Sequence, residues 1–213
     1  MKLLLNSSFK NSLFFLNKRF NHNNCSNYLA KNNFLTVNDH IKDAVRNNKP
    51  VVALESTIIT HGLPFPANYE TAIEVENAIR EAGAIPATIA FFNGMLRVGL
   101  NRDEIELVAK SSIENAAVKL SRRDISYALA SESKNLIGGT TVSATMIAAE
   151  AANIPIFVTG GIGGVHRDFT ETMDVSADLI ELSKTKVAVI SSGVKSILDI
   201  GKTLGIIFKT KRL

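Results

Sequence analysis

From about Val37 onward, short apolar runs rich in β-branched residues alternate with amphipathic stretches of helical period, and only a few residues join one to the next. A strand, a helix and a second strand in that order return the chain to the same end of a sheet, so the strands run parallel. The chain is therefore expected to be an α/β protein, with a largely parallel sheet between helical layers (an αβα arrangement). Helices are predicted over 37–48, 68–82, 103–111, 124–131, 140–152 and 175–182, with another beginning at Ser196. In 68–82 the stripe Ala72, Val75, Ile79 and Ala82 sets the buried face, and Gly83 follows as a stop. Strands are predicted over 51–59, 85–92, 117–120, 154–159 and 187–191. The run 51–59 is almost continuously apolar, as in a strand covered on both faces. Two prolines and a glycine make 61–66 a loop.

Ligands in such folds sit beyond the carboxyl ends of the strands. The chemically unusual residues cluster at those ends: 55–61, 119–123, 159–174 and 191–195.

The chain has 213 residues, 46% hydrophobic and 21% charged, enough to bury one sizeable core. Its net charge of +4 is uneven. Lys2, Lys10, Lys18, Arg19 and Lys31 precede the first acid, Asp39, and the remainder is close to neutral, which argues against a basic face for nucleic acid. Cys25 is the sole cysteine, so no disulfide forms within the chain. No apolar run approaches the roughly 18–20 residues of a membrane span. Residues 1–36, basic and rich in Asn, Ser, Leu and Phe, read as a mitochondrial presequence or else a disordered tail on a cytoplasmic protein, with the folded domain taken as 37–213.

Several constellations could carry chemistry. Glu55 lies within an apolar run, where loss of hydration favours the neutral acid and suits a proton donor; the alternative is a strand-end Glu paired to a cation. Lys119, Arg122 and Arg123 put three cations in five residues, as a phosphate site or a solvated loop would. Gly138, Gly139, Thr140 and Thr141 are expected to open a helix, either cradling an anion or making an ordinary turn. The glycine run 160–164 lacks the helix start of a dinucleotide fingerprint and reads as a mobile or ligand-wrapping loop, with His166 beyond it. Asp174 and Asp178 are expected on one side of a helix's first turn, Asp174 near the N-cap or holding a hydrated divalent cation. Lys195 ends a buried strand, where desolvation would make its amine a nucleophile, unless it snorkels to the rim.

Taken in order, the stretches 53–64, 119–124, 138–142, 158–167, 174–179 and 192–199 resemble the pseudouridine-5'-phosphate glycosidase family in sequence and spacing, over about residues 40–201. The resemblance implies reversible cleavage of pseudouridine 5'-phosphate, with water, to uracil and ribose 5-phosphate. It implies that Lys195 forms a Schiff base with the opened sugar and that Glu55 is the proton donor. It further implies that Asp174 holds a divalent cation, typically Mn2+, that Lys119, Val142, Thr159, His166, Ser176, Ala177 and Asp178 line the substrate, and that the protein is a homotrimer. The expected partner is a small molecule, with no nucleic acid polymer and no membrane. The match is expected to fail after about Gly201, with the rest of the family fold and an active-site Asn missing. That leaves a second expectation: a non-catalytic paralogue binding phosphosugars or a full-length partner subunit.

Overall fold

A computed structural model describes residues 29, 34–114, 116–131, 133 and 135–210. The presequence reading of residues 1–36 lies almost wholly outside them. Its last residues belong to the fold, because β1 (Leu35–Val37) pairs with a later strand and the side chain of Leu29 is in the core. Among the described residues no helix is long and apolar enough to cross a membrane.

In chain order β1 is followed by α1 (Asp39–Arg46), β2 (Val51–Leu54), α2 (Thr57–His61), α3 (Ala67–Glu81), β3 (Ile85–Phe92), β4 (Met95–Val98) and α4 (Arg102–Lys110). Then come β5 (Ala117–Leu120), α5 (Ile125–Ala130), β6 (Ile137–Thr140), α6 (Val142–Ala151) and β7 (Ile156–Thr159). The chain continues through α7 (Phe169–Thr172), α8 (Ala177–Leu182), β8 (Ala188–Ser191) and α9 (Ile200–Thr210).

The strands lie in the order β1-β4-β3-β2-β7-β8, with β6 pairing both β3 and β5. The pairs β1/β4, β2/β3, β2/β7, β5/β6 and β7/β8 are parallel, so the sheet is largely parallel, as expected. The antiparallel pairs β3/β4 and β3/β6 both use the second half of β3. The hairpin β3–β4 was not predicted. Its turn is Asn93–Gly94, with both residues at positive φ, which is the conformation an Asn-Gly hairpin demands.

Two other expectations change. The strand predicted over 51–59 stops at Leu54, and the chain turns at Glu55 and Ser56 into the single-turn helix α2. The turn is fixed by Thr140, whose N–H donates to Ser56 Oγ at 2.9 Å. It buries Ile59 in a second apolar cluster with Phe92, Leu100, Ile105 and Val108. Gly138 and Gly139 do not open the helix, whose N-cap is Thr141. They are in β6, with backbone paired to β3 and β5. A Cβ at Gly139 would collide with the Thr60 hydroxyl, so the missing side chain serves close packing.

Helix α6 explains the core. Its residues from Val142 to Ala149 are all buried, as expected of a helix enclosed on every side. Its small residues let the sheet and α8 approach closely, and Met146, Phe91, Phe157 and Leu120 fill the space around it.

Candidate active site

The carboxyl ends of β2, β5, β7 and β8 surround a cavity of about 460 Å³. Glu55, Lys119, Val142, His166 and Asp174 line it, with Ser176, Ala177, Asp178 and Lys195. Of the residues that the resemblance places at the substrate, Thr159 alone is not on its wall; it sits behind Glu55 and donates its hydroxyl to Glu55 Oε1. Thr141 of the 138–141 stretch also lines the cavity, and so do Thr57, Ser121, Asp124, Ile197 and Leu198, which sequence reasoning did not single out. Their signal was adjacency to the strand ends, which does not say which neighbour turns inward.

Glu55 is held in the turn after β2. Burial pushes its carboxyl above the ordinary range. The hydrogen bond from Thr159 opposes that, and so do the positive charges of Lys195 and Lys119, while Asp178 adds to the rise. The result is an acid that keeps its proton more readily than a surface glutamate.

Lys195 differs from expectation. It lies beyond the end of β8, past Gly193 at φ 125°, and is exposed rather than desolvated. Its backbone is nonetheless fixed. Lys195 N donates to Ile162 O at 3.1 Å, and Ile162 N donates to Gly193 O at 3.0 Å. The glycine run 160–164 is therefore pinned rather than mobile, and a Cβ at Gly161 would press on the Lys195 side chain.

Asp178 and Asp174 do not share a helix face. Ser176 is the N-cap of α8, and Asp174 precedes the helix with its side chain exposed. Asp178 is buried, with both oxygens committed: Oδ1 accepts from Ser143 N at 3.0 Å and Oδ2 from Gly163 N at 2.8 Å. It clamps the start of α6 to the glycine run. A Cβ at Gly163 would lie 2.7 Å from Asp178 Oδ2 and closer still to Ser176 Oγ, so only glycine fits there.

The three cations of 119–123 separate. Lys119 and Arg123 line the cavity, and Arg123 Nη2 donates to Val175 O at 2.8 Å, tying the loop after β5 to the Asp174 loop. Arg122 turns inward and pairs with buried Glu181 at 2.8 Å. Opposite them, His166 Nε2 stands 3.6 Å from Asp174 Oδ2, and His166 N donates to Asp174 O at 3.1 Å. Lys119 and Arg123 thus bring positive charge to the cavity beside an accessible amine and a shielded acid.

A family model described as "Indigoidine synthase A like protein" matches residues 40–211, past the expected break at Gly201. The chain belongs to this family. Over 171 residues it is 58% identical to a pseudouridine-5'-phosphate glycosidase of Clostridium botulinum, covering 80% of this chain and 54% of that one. The corresponding protein of Escherichia coli is 54% identical over 169 residues, covering 79% and 53%. Among solved structures, a prealnumycin C-glycosynthase in complex with ribulose 5-phosphate superposes with a TM-score of 0.73 at 44% identity, covering 83% of this chain and 55% of that chain. The chain thus spans about half the length of these relatives.

Two outcomes test the site's construction. Asp178→Ala orphans the buried Ser143 N–H and the part-buried Gly163 N–H, each worth about 1–3 kcal/mol, so urea unfolding should show a loss of about 2–6 kcal/mol. A loss within error of zero would contradict the clamp. Glu55 has a folded-state pKa above its unfolded value, so its contribution to stability is complete below the unfolded value of about 4.3 and is lost as pH rises through the folded one. Glu55→Gln should therefore raise Tm at neutral pH, with the gain vanishing on acidification. A gain independent of pH would contradict the assignment.

Proposed function

We propose that this chain carries the catalytic groups of a C-glycosidase that reversibly cleaves pseudouridine 5'-phosphate, with water, to uracil and ribose 5-phosphate. The observation that supports this reading most is the pairing, in one cavity, of a carboxyl whose pKa burial raises with an accessible primary amine.

A carbon–carbon glycosidic bond cannot be released by protonating a heteroatom in the leaving group. It breaks when a nitrogen on the sugar carbon can share its lone pair to form an imine while the ring carbon takes the bonding electrons. In this reading the Lys195 amine attacks C1 of the ribose, and the bond from C1 to the ring oxygen breaks, that oxygen leaving as a protonated hydroxyl. The C1–uracil bond then breaks, its electrons stay on the uracil ring carbon, and Glu55 gives that carbon a proton. The resulting imine between C1 and Lys195 is hydrolysed by water, which returns the free amine and ribose 5-phosphate.

Lys119, Arg123 and His166 suit the phosphate, with Arg123 already anchored through Val175. Asp178 acts through the backbone, holding the glycine run against which Lys195 is seated. Asp174 offers an exposed carboxylate on the cavity wall, and among the described residues no group of three His, Cys, Asp or Glu converges. That donor set fits a hydrated hard cation such as Mn2+, held by one carboxylate and otherwise by water. When bound, the ion would supply positive charge that steadies the anionic substrate. Assembly as a homotrimer belongs to the same reading.

The test is uracil release from pseudouridine 5'-phosphate in the presence of Mn2+, followed by chromatography. Release is expected to fall by about a thousandfold or more in Lys195→Ala, the scale of losing a covalent nucleophile, and to fall on addition of EDTA. Phosphosugar binding by a cooperatively folded sample that releases no uracil would instead favour a non-catalytic binding role.

A further inference from the structure

A second anchor of the glycine run lies two residues past the one at Gly163. Val165 N donates to Thr203 Oγ1 at 2.9 Å, and Val165 O accepts from Asp199 N at 2.8 Å. Thr203 is in the first turn of α9 and is the one buried residue of that helix. Ile200, Leu204 and Phe208 of the same helix are 50%, 41% and 71% exposed. A helix packed for apolar burial alone would turn those three inward. α9 instead buries a hydroxyl, which costs free energy unless it is hydrogen-bonded. Thr203 Oγ1 is bonded twice: it accepts from Val165 N and donates to Asp199 O at 2.6 Å. Gly164 lies against it, and a Cβ at Gly164 would collide with Thr203 Oγ1. Beyond Val165 the chain enters the cavity wall. His166 N donates to Asp174 O at 3.1 Å, Val165 pairs with Val175 in an antiparallel bridge, and Ser176 N donates to Gly164 O at 2.9 Å. The loop carrying His166 and Asp174 thus both leaves and returns at Gly164 and Val165.

We propose that Thr203 is a positioning residue for substrate binding: through the backbone of Val165, its hydroxyl holds the His166–Asp174 loop in place for the phosphate of the substrate. The inference rests on the C-glycosidase reading above. Thr203 does not line the cavity, so it acts through Val165 and not by contact. Its reach is selective. Lys195 is fixed by backbone bonding to Ile162, and Asp178 holds Gly163. Both ties meet the glycine run before Gly164 and use no atom of Thr203. Loss of the hydroxyl therefore bears on phosphate binding and leaves the amine and Glu55 where they are. Thr203→Val is the sharp substitution, because valine keeps the branched shape and removes the hydroxyl. Asp199 O keeps a partner, since Thr203 N also donates to it at 3.0 Å. Val165 N–H is then the one group left without its bond, and it reaches water only if the backbone beside His166 shifts. Thr203→Ser retains the hydroxyl.

The measurement is isothermal titration of the folded chain with ribose 5-phosphate in the presence of Mn2+. Thr203→Val is expected to weaken binding about tenfold, the scale of one buried N–H left unpaired, and Thr203→Ser to restore it. In uracil release from pseudouridine 5'-phosphate, Thr203→Val should raise KM by a similar factor and leave kcat unchanged, a split that general destabilisation does not produce. Amide exchange followed by NMR gives a check that needs no variant: in the native chain Val165 N–H is expected to exchange as slowly as the amides of α6. Equal binding by Thr203→Val, a fall in kcat at unchanged KM, failure of Thr203→Ser to restore binding, or exchange of Val165 N–H at the rate of exposed loop amides would each overturn the proposal. If the native chain binds ribose 5-phosphate but releases no uracil, the glycosidase reading falls and the titrations still decide the role of Thr203. If the native chain does not bind ribose 5-phosphate at all, both fall.

Discussion

The carboxylate of Asp178 is the joint on which the site depends. One oxygen takes the N–H of Ser143 at the start of α6, and the other takes the N–H of Gly163 in the glycine run. The next residue back, Ile162, exchanges backbone hydrogen bonds with Gly193 and Lys195. A buried anion satisfied by two backbone donors thus locks the strand ends of β7 and β8 to the central helix. The clamp uses peptide N–H groups, so it sets backbone position and leaves the cavity's side chains free for a ligand. It also requires glycine at 163, because the carboxylate and Ser176 occupy the space a Cβ would take.

Around that joint the polarity is divided. Glu55 is largely withdrawn from water and backed by Thr159, while Lys195 stands in the open cavity. The two groups can therefore do different work: burial strengthens the hold of one on a proton, and accessibility presents the other to an electrophile. Charge is sorted as well. Lys119 and Arg123 face the cavity, whereas Arg122 neutralises Glu181 in the packing between α6 and α8. Glu181 needs that partner, because burial raises its pKa and Arg122 works against the rise.

The alternation of strands and helices was legible because apolar period and β-branched runs are local properties. The errors arose where tertiary contacts override local pattern. Ile58 and Ile59 look like a continuing strand, but Ser56 is captured by Thr140 and the chain turns so that Ile59 enters the second cluster. Gly138 and Gly139 look like a turn, yet they are strand residues chosen for the approach of Thr60, Phe91 and Leu120. The hairpin at Asn93–Gly94 carried a readable signal that was passed over. At the site, position at strand ends marked the right stretches. It could not say that adjacent Arg122 and Arg123 point in opposite directions, or that Asp178 is a buried clamp while Asp174 is exposed. Those assignments depend on which segments meet, and the partners lie up to 59 residues apart in the chain.

The central claim is that Lys195 forms a covalent link to the sugar carbon. The most direct measurement is incubation of the chain with ribose 5-phosphate and borohydride, followed by peptide mapping by mass spectrometry. The expected result is a reduced ribose phosphate adduct on Lys195, formed in Asp178-intact protein and absent from Lys195→Ala. Absence of an adduct from folded protein, or labelling spread equally over Lys119 and surface lysines, would contradict it.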